Sequence, residues 1–343
     1  MRLKTTLAVA AMFLATTGLA RAEGELNIFN WGNYTSPELI KKFEDTYKVK
    51  VTITDYDSND TALAKVRQGG HGFDIAMPSQ NYLPIWIEEG LVLETNPGQM
   101  ENAKNMLPEW ADPEFDPGRK YSVPWALGTV GVVVNTDVYK GPIDTWAVVF
   151  DPPAELQGKI NIVPEMNDVI HAAIKFHGGE MCSADKTLLK QVRDTLVAAK
   201  PLWVAMEYST IEKMVGGDFA ATTDWNGSAL RQRLQNPKIQ FALPKEGFQL
   251  WSDNAVVLKD AKNVENAKLF LNFIMDPENA AMISAFSRYA NGIKGSEAFM
   301  PEDMKTAPEV MVPADLLATA DYSKTCPPEA QELYTRIWTE LQK

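Results

Sequence analysis

The amino-terminal third of the chain alternates between two hydrophobic periodicities. Residues 26–31 and 49–53 alternate apolar with polar side chains, which predicts strands, and apolar residues recur between them at helical spacing behind Ser36 and Pro37. A second helix and a third strand, residues 73–77, follow. This alternation predicts an α/β fold with a parallel sheet covered by helices. In such sheets ligands bind beyond the carboxyl ends of the strands.

The extreme amino terminus has the pattern of a secretory signal peptide. Arg2 and Lys4 precede a short apolar run at 7–14, and Ala20-Arg21-Ala22 offers a small-residue cleavage site. The apolar run is shorter than the roughly 20 residues that a membrane-spanning helix needs. We therefore expect export to the periplasm and cleavage after Ala22, with no insertion into the membrane.

The net charge of the chain and the spacing of its histidines and cysteines indicate which classes of ligand to expect. The formal net charge of −12 argues against nucleic acid as a partner and suits the gathering of cations. Three histidines and two cysteines occur without the spacings of a zinc site, so we expect no metal or other cofactor. His171 and His177 lie six residues apart and are expected at the surface.

Five predicted loops at strand ends share aromatic and acidic side chains. The aromatic members are Trp31, Tyr34, Tyr82, Trp225 and Trp251, and the acidic members are Glu165, Asp168 and Asp253. Aromatic faces attract cations by ~0.5–2 kcal/mol each, and carboxylates form charge-assisted hydrogen bonds with ammonium groups. The rings also bury methylenes, at about 0.8 kcal/mol per CH₂. The combination favours a small, substituted amine as the ligand.

Each of these residues also has a purely structural interpretation. Aromatic side chains at strand ends often cover the core. Asp168 precedes a helical apolar pattern, so it could cap that helix, and Glu165 with Asp168 could be a first-turn pair favoured by the helix dipole.

Several strings of the sequence resemble the bacterial periplasmic spermidine/putrescine-binding proteins. The strings are Asn30-Trp31-Gly32-Asn33-Tyr34, Tyr56-Asp57-Ser58-Asn59-Asp60, Pro78-Ser79, Trp225-Asn226-Gly227-Ser228 and Trp251-x-Asp253. They cover nearly the whole chain after residue 22, in order and in spacing. The resemblance implies an α/β fold of two lobes, the type II-like periplasmic binding protein fold, with the ligand in the cleft between the lobes. It also implies delivery of the ligand to a membrane ATP-binding cassette (ABC) permease by a monomeric protein.

The resemblance assigns roles to particular residues. It places an aromatic box on Trp31, Tyr34, Tyr82, Trp225, Trp251 and Tyr289, carboxylates on Glu165, Asp168 and Asp253, and a hydrogen-bonding hydroxyl on Ser79. Two positions depart from the family pattern. Asn33 stands where the family usually has an acid, and Cys326 stands where some members have a polar residue of the site.

The same resemblance suggests how the chain divides. We expect the following segments: a signal peptide at 1–22, an amino-terminal lobe at 23–127 and 254–300, a carboxy-terminal lobe at 128–253, and a helical segment at 301–343 packed on the lobes. Predicted strands near 128–134 and 250–258 would carry the chain between the lobes. Although two cysteines in an oxidising compartment can form a disulfide, we place Cys182 and Cys326 in different lobes. A bond between lobes would oppose hinge motion, so we expect free thiols.

Two other functions stay open. An enzyme would need a catalytic motif, and the chain has no Gly-x-Ser-x-Gly elbow, no phosphate-binding loop and no dinucleotide-binding glycine pattern. Glu165 and Asp168 could form the carboxylate pair of a glycosidase, but a three-residue spacing at a helix start is common. The second possibility is a binding protein for a sugar, an opine or an amine conjugate. Aromatic faces also stack on sugar rings, and the amide of Asn33 can bind a hydroxyl or a carboxylate.

Overall fold

The computed structural model describes residues 24–343, so the predicted signal peptide at 1–22 lies outside the described residues. The strands are β1 (Gly24–Trp31), β2 (Val49–Tyr56), β3 (Ile75–Ala76), β4 (Ser122–Asn135), β5 (Ile160–Asn161), β6 (Trp203–Ala205), β7 (Ala221–Trp225), β8 (Ile239–Ala242), β9 (Phe248–Val257) and β10 (Ala320–Tyr322). They join in the order β2-β1-β3-β9-β4-β7-β5-β6, with β10 on β9 and β8 on β4.

Helices surround this sheet. They are α1 (Pro37–Tyr47), α2 (Asn59–Arg67), α3 (Leu83–Glu88), α4 (Pro108–Ala111), α5 (Ala147–Phe150), α6 (Met166–Phe176), α7 (Lys186–Ala199), α8 (Ile211–Gly216), α9 (Asn226–Gln235), α10 (Val264–Ile274), α11 (Pro277–Ser287), α12 (Ala314–Leu317) and α13 (Pro328–Leu341). Short 3₁₀ helices lie at Pro97–Gln99, Glu101–Asn105, Lys200–Leu202, Ser296–Ala298 and Glu302–Lys305. Among the helices of residues 24–343, none has the length and apolar character that crossing a membrane requires.

The first strands and helices form as the periodicity predicts. β1 lies between β2 and β3 and is parallel to both. The hydroxyl of Ser36 accepts a hydrogen bond from the backbone N–H of Leu39 and caps α1, with Pro37 at its first position. Ser58 caps α2 in the same way. The predicted parallel sheet is therefore confirmed for this part of the chain.

Two long strands connect the halves of the sheet. β9 is antiparallel to β3 near one end and pairs with β4 through most of its length. β4 continues beyond β9 to pair with β7 and β8. This arrangement confirms the two-lobed α/β fold, with two strands crossing between lobes. The lobe boundaries at 127/128 and 253/254 stay a prediction.

One local prediction about β9 is wrong. Trp251 and Asp253 are predicted in a loop at a strand end, but both lie inside β9, within the crossing strand predicted near 250–258. The strand is almost entirely buried, and its polar side chains have partners there: Ser252 donates to Gln80, and Asp253 accepts from Ser79. Polar residues inside a buried strand resemble a loop in sequence, because their hydrogen-bond partners come from distant segments.

The carboxy-terminal segment packs on the second half of the molecule. β10 adds to β9 as a parallel neighbour, and α13 packs against α6 and α7. This packing brings Cys326, just before α13, to Cys182, just after α6, and the two form a disulfide with a Cα–Cα distance of 5.0 Å.

The prediction of free thiols is therefore wrong. Its premise fails, because both cysteines lie on the same side of the cleft and their bond does not cross it. The expected surface position of His171 is also wrong: the ring is buried, and its Nδ1 lies 2.8 Å from Oε1 of Gln249. Burial lowers the pKa of His171 to about 4, which keeps the ring neutral beside the disulfide.

Thiol counting under denaturing, non-reducing conditions should find no reactive thiol in the monomeric protein. Reduction should lower the free energy of unfolding by about 2–5 kcal/mol, because the bond closes a long loop in the unfolded chain. Urea denaturation with and without reductant measures this. The double variant Cys182→Ser/Cys326→Ser is the control, and its stability should not respond to reductant. Two reactive thiols in the folded, exported protein would contradict the prediction.

Candidate functional site

A cavity lies between the two lobes, where the ends of β1 and β7 face the middle of β9. It encloses about 810 Å³ of empty space, part of it open solvent, which is within the usual range for small-molecule sites. Ten of the eleven residues predicted from the sequence line it: Trp31, Asn33, Tyr34, Ser79, Glu165, Asp168, Trp225, Trp251, Asp253 and Tyr289. Residues that are distant in sequence therefore meet at one place.

Tyr82 is the predicted residue that the lining does not include. Its hydroxyl donates to Oδ1 of Asp60 at 2.9 Å and accepts from Nδ2 of Asn167 at 3.4 Å. The ring is buried beneath the wall of the cavity, between the first turns of α2 and α6. Tyr82 supports the site from behind, so its place in an aromatic box is not borne out.

Asp253 has its position fixed by β9, by β4 and by two loops, which carry Ser79 and Tyr34. Its backbone pairs with Ala126 of β4 on one side and with Ser79 on the other. The hydroxyl of Ser79 donates to Oδ1 at 2.6 Å, and the hydroxyl of Tyr34 donates to Oδ2 at 2.9 Å. Burial raises the pKa of Asp253 to about 7, although both hydrogen bonds act to lower it.

Two further carboxylates come from the start of α6. Asp168 accepts from Nε1 of Trp225 and from Nε2 of Gln249, both at 2.9 Å. Burial raises the pKa of Asp168 to about 7, and burial together with the Asp168 charge raises the pKa of Glu165. Neither side chain caps α6, so the structural interpretation of Asp168 as a helix cap is wrong: its carboxylate turns to Trp225 and Gln249 instead.

A chain of hydrogen bonds connects the acids across the cleft. The backbone N–H of Asn59 donates to Oε2 of Glu165 at 3.2 Å, and its side-chain amide donates to Oγ of Ser79 at 3.0 Å. Ser79 in turn donates to Asp253. None of the ion pairs formed by residues 24–343 includes Glu165, Asp168 or Asp253. Buried carboxylates without a cationic partner are costly, so a cation is the ligand that this wall would stabilise.

Aromatic rings form the other walls. The ring of Trp31 stacks with that of Tyr208 at 6.2 Å and meets the edge of Trp225 at 6.2 Å. Tyr289 contacts Trp251 at 5.0 Å and Tyr34 at 5.6 Å between ring centroids. Such a surface can bury the methylenes of a ligand and present ring faces to its charged groups.

Two glycines make room for these rings. A Cβ at Gly128 would collide with the indole of Trp251, and a Cβ at Gly227 would lie 2.6 Å from the ring of Tyr289. Side chains at these positions would displace the aromatic walls.

Four residues that sequence reasoning missed also line the cavity: Asn59, Tyr208, Arg231 and Gln249. Asn59 lies in a string used for the family resemblance, and Gln249 lies two residues before Trp251, so both had a sequence signal. Tyr208 follows the short strand β6, which the sequence pattern does not reveal. Arg231 lies inside α9, where a basic residue gives no signal of a binding role.

The sequence of this chain is similar to a known family and to known proteins. The family described as bacterial extracellular solute-binding protein matches residues 38–312. The chain is 27% identical to the putrescine/cadaverine-binding protein of Pseudomonas aeruginosa over 98% of both chains, and 26% identical to the putrescine-binding periplasmic protein PotF of Escherichia coli over 98% of this chain and 96% of that one.

Solved structures of two transporter proteins are also similar to this chain. A putative spermidine/putrescine ABC transporter protein from Listeria monocytogenes superimposes with a TM-score of 0.87 at 30% identity, covering 93% of this chain and 98% of the other. PotD from Streptococcus pneumoniae, a spermidine/putrescine ABC transporter substrate-binding protein, gives 0.76 at 25% identity, covering 93% and 99%. With a family match over most of its length, this chain belongs to the bacterial extracellular solute-binding proteins.

Proposed function

We propose that the protein captures a polyamine of the putrescine and spermidine class in the periplasm and delivers it to an ABC permease. The observation that carries this proposal is a wall of three carboxylates, the buried Glu165 and Asp253 and the half-buried Asp168, which form no ion pair within residues 24–343. The curated relatives named for putrescine and cadaverine binding support the same ligand class.

A linear diamine matches the chemistry of the cavity at both its ends and its middle. Its ammonium groups supply the positive charge that the acids lack, and they can donate hydrogen bonds to carboxylate oxygens. Its methylenes can lie against Trp31, Trp225 and Trp251, where burial contributes about 0.8 kcal/mol per CH₂. The net charge of −12 favours the approach of a cation from solution.

The two-lobed arrangement supports capture by closure. Tyr208 donates from its hydroxyl to the backbone oxygen of Gly32 at 3.1 Å, and Asn59 donates to Glu165, so both contacts cross the cleft. We infer that the protein acts as a monomer and releases its ligand unchanged, without catalysis. Recovery of unaltered diamine after prolonged incubation, measured by mass spectrometry, tests the absence of turnover.

Asp253→Asn should weaken putrescine binding by about 2–5 kcal/mol, because it removes one partner of a buried charge pair. Trp251→Ala should weaken it comparably, through the loss of ring contact and methylene burial. Isothermal titration calorimetry measures both. Asp57→Asn, which removes an exposed carboxylate outside the lining, is the matched control and should bind as the wild type does. Unchanged affinity in Asp253→Asn, with folding verified by circular dichroism, would contradict the proposal.

Putrescine affinity should fall as the pH drops from 8 to 5.5. In the free protein, burial raises the pKa of Asp253 and of Asp168 to about 7. Because a bound ammonium favours the ionised carboxylates, their pKa values fall in the complex, and binding near pH 6 must release protons. Each pH unit below 7 should cost up to about tenfold in affinity per carboxylate.

Calorimetry in two buffers of different ionisation enthalpy detects the released protons directly. Asp253→Asn should show a shallower pH profile than the wild type, because one titrating group is missing. Affinity that is constant or rises toward pH 5.5 would show that these carboxylates do not bind the ligand's charge.

A further inference from the structure

One arginine of residues 24–343 lines the acidic cavity, on the wall formed by α9. Arg231 donates from Nη1 to the backbone oxygen of Asn33 at 3.0 Å and from Nη2 to Oδ1 of Asn33 at 2.9 Å. Its guanidinium also lies 5.2 Å from the ring centroid of Phe286. None of the ion pairs formed by residues 24–343 includes Arg231. Its positive charge is therefore held in place by an amide and not neutralised by a carboxylate.

The acids and the arginine occupy different ends of the cavity. Arg231 contacts the backbone of Asn33, next to the point from which Tyr34 extends, whereas Asp253 accepts from the hydroxyl at the far end of the Tyr34 side chain. Glu165 and Asp253 are joined to each other through Asn59 and Ser79, away from Arg231. Glu165, Asp168 and Asp253 thus form an acidic end of the cavity, and Arg231 lies outside the hydrogen bonds that join Glu165 to Asp253.

Polar and charged side chains surround Arg231, and Arg288 and two carboxylates are among them. Ser228 lies one turn earlier on α9, and its hydroxyl is 3.1 Å from that of Tyr289. Glu212 also lines the cavity, but it is exposed to solvent, where its charge is screened. Asp224 is buried and accepts hydrogen bonds from Thr210 and Gln232. Arg231 is the one basic side chain that residues 24–343 contribute to the lining, so a ligand group that reaches it meets a positive charge.

We propose that Arg231 determines specificity by selecting diamines over triamines. The inference rests on the proposed function. The two ammonium groups of a diamine can both be held by the three carboxylates. A triamine such as spermidine carries a third ammonium, and its longer chain extends that group beyond the acidic end. There it faces a like charge at close range in a partly desolvated site, which disfavours binding.

Asn33 contributes to the same selection of diamines over triamines. An acid at this position would accept the hydrogen bonds of Arg231 and neutralise its charge. With asparagine there, the guanidinium is oriented but its charge remains. Asparagine at position 33, where the family usually has an acid, and arginine at position 231 therefore both disfavour a third ammonium group.

Calorimetric titration of the signal-free protein with putrescine and spermidine tests this inference. The wild type should bind putrescine at least about tenfold more tightly than spermidine. Arg231→Gln and Asn33→Asp should each reduce this ratio by about tenfold, mainly by improving spermidine binding. Arg231→Lys should keep the ratio, since it keeps the charge while losing the paired hydrogen bonds. Arg336→Gln, an exposed arginine on α13, is the control for the overall change in charge and should also keep the ratio.

The ratio of putrescine affinity to spermidine affinity distinguishes an effect of the Arg231 charge from an effect on lobe closure. If Arg231 serves only to join the lobes through Asn33, Arg231→Gln weakens both amines equally and the ratio stays constant, which would overturn the inference. Spermidine binding as tightly as putrescine in the wild type would also overturn it. In both cases putrescine still binds, so the proposed function survives. Failure of the wild type to bind either amine would overturn the proposed function and the inference together.

Discussion

The antiparallel pairing of β4 with β9 is the constraint on which the fold and the site both depend. β9 also pairs with β3, and β4 also pairs with β7 and β8, so each strand belongs to both halves of the sheet. A side chain on such a strand keeps a defined position relative to either lobe. Trp251 and Asp253 lie on β9, which places one aromatic wall and one carboxylate at the centre of the cleft regardless of the separation of the lobes.

The acids of the cleft show how a protein can fold around charges that lack a partner. Each buried carboxylate accepts hydrogen bonds from neutral donors: Ser79 and Tyr34 for Asp253, Trp225 and Gln249 for Asp168, and Asn59 for Glu165. These bonds offset part of the cost of removing the acids from water, yet burial still holds the pKa values of Asp253 and Asp168 at about 7. The arrangement therefore favours a positive charge beside these acids.

Much of the architecture can be predicted from the sequence, because it depends on local patterns of apolar and polar residues. The succession of β1, α1, β2, α2 and β3 follows from periodicity, and the cap at Ser36 follows from residue type. The positions that sequence reasoning misplaced depend on contacts between distant segments. Cys182 meets Cys326 only because α13 returns to α6, and the polar residues of β9 stay in a strand only because Ser79 and Gln80 bind them. The role of Arg231 in the cavity is set by the orientation of α9, which no local pattern encodes.

The hydrogen bond from Asn59 to Glu165 connects the first turn of α2 with a carboxylate on the other side of the cleft. The N–H group takes one of the acceptor positions of the carboxylate and leaves the others free for further donors. It belongs to the first residue of α2, where the helix dipole adds partial positive charge. Burial raises the pKa of Glu165, whereas this N–H group acts to lower it, because hydrogen bonds to a carboxylate favour its ionised form. The position of α2 therefore helps to set the charge state of an acid that belongs to the opposite lobe.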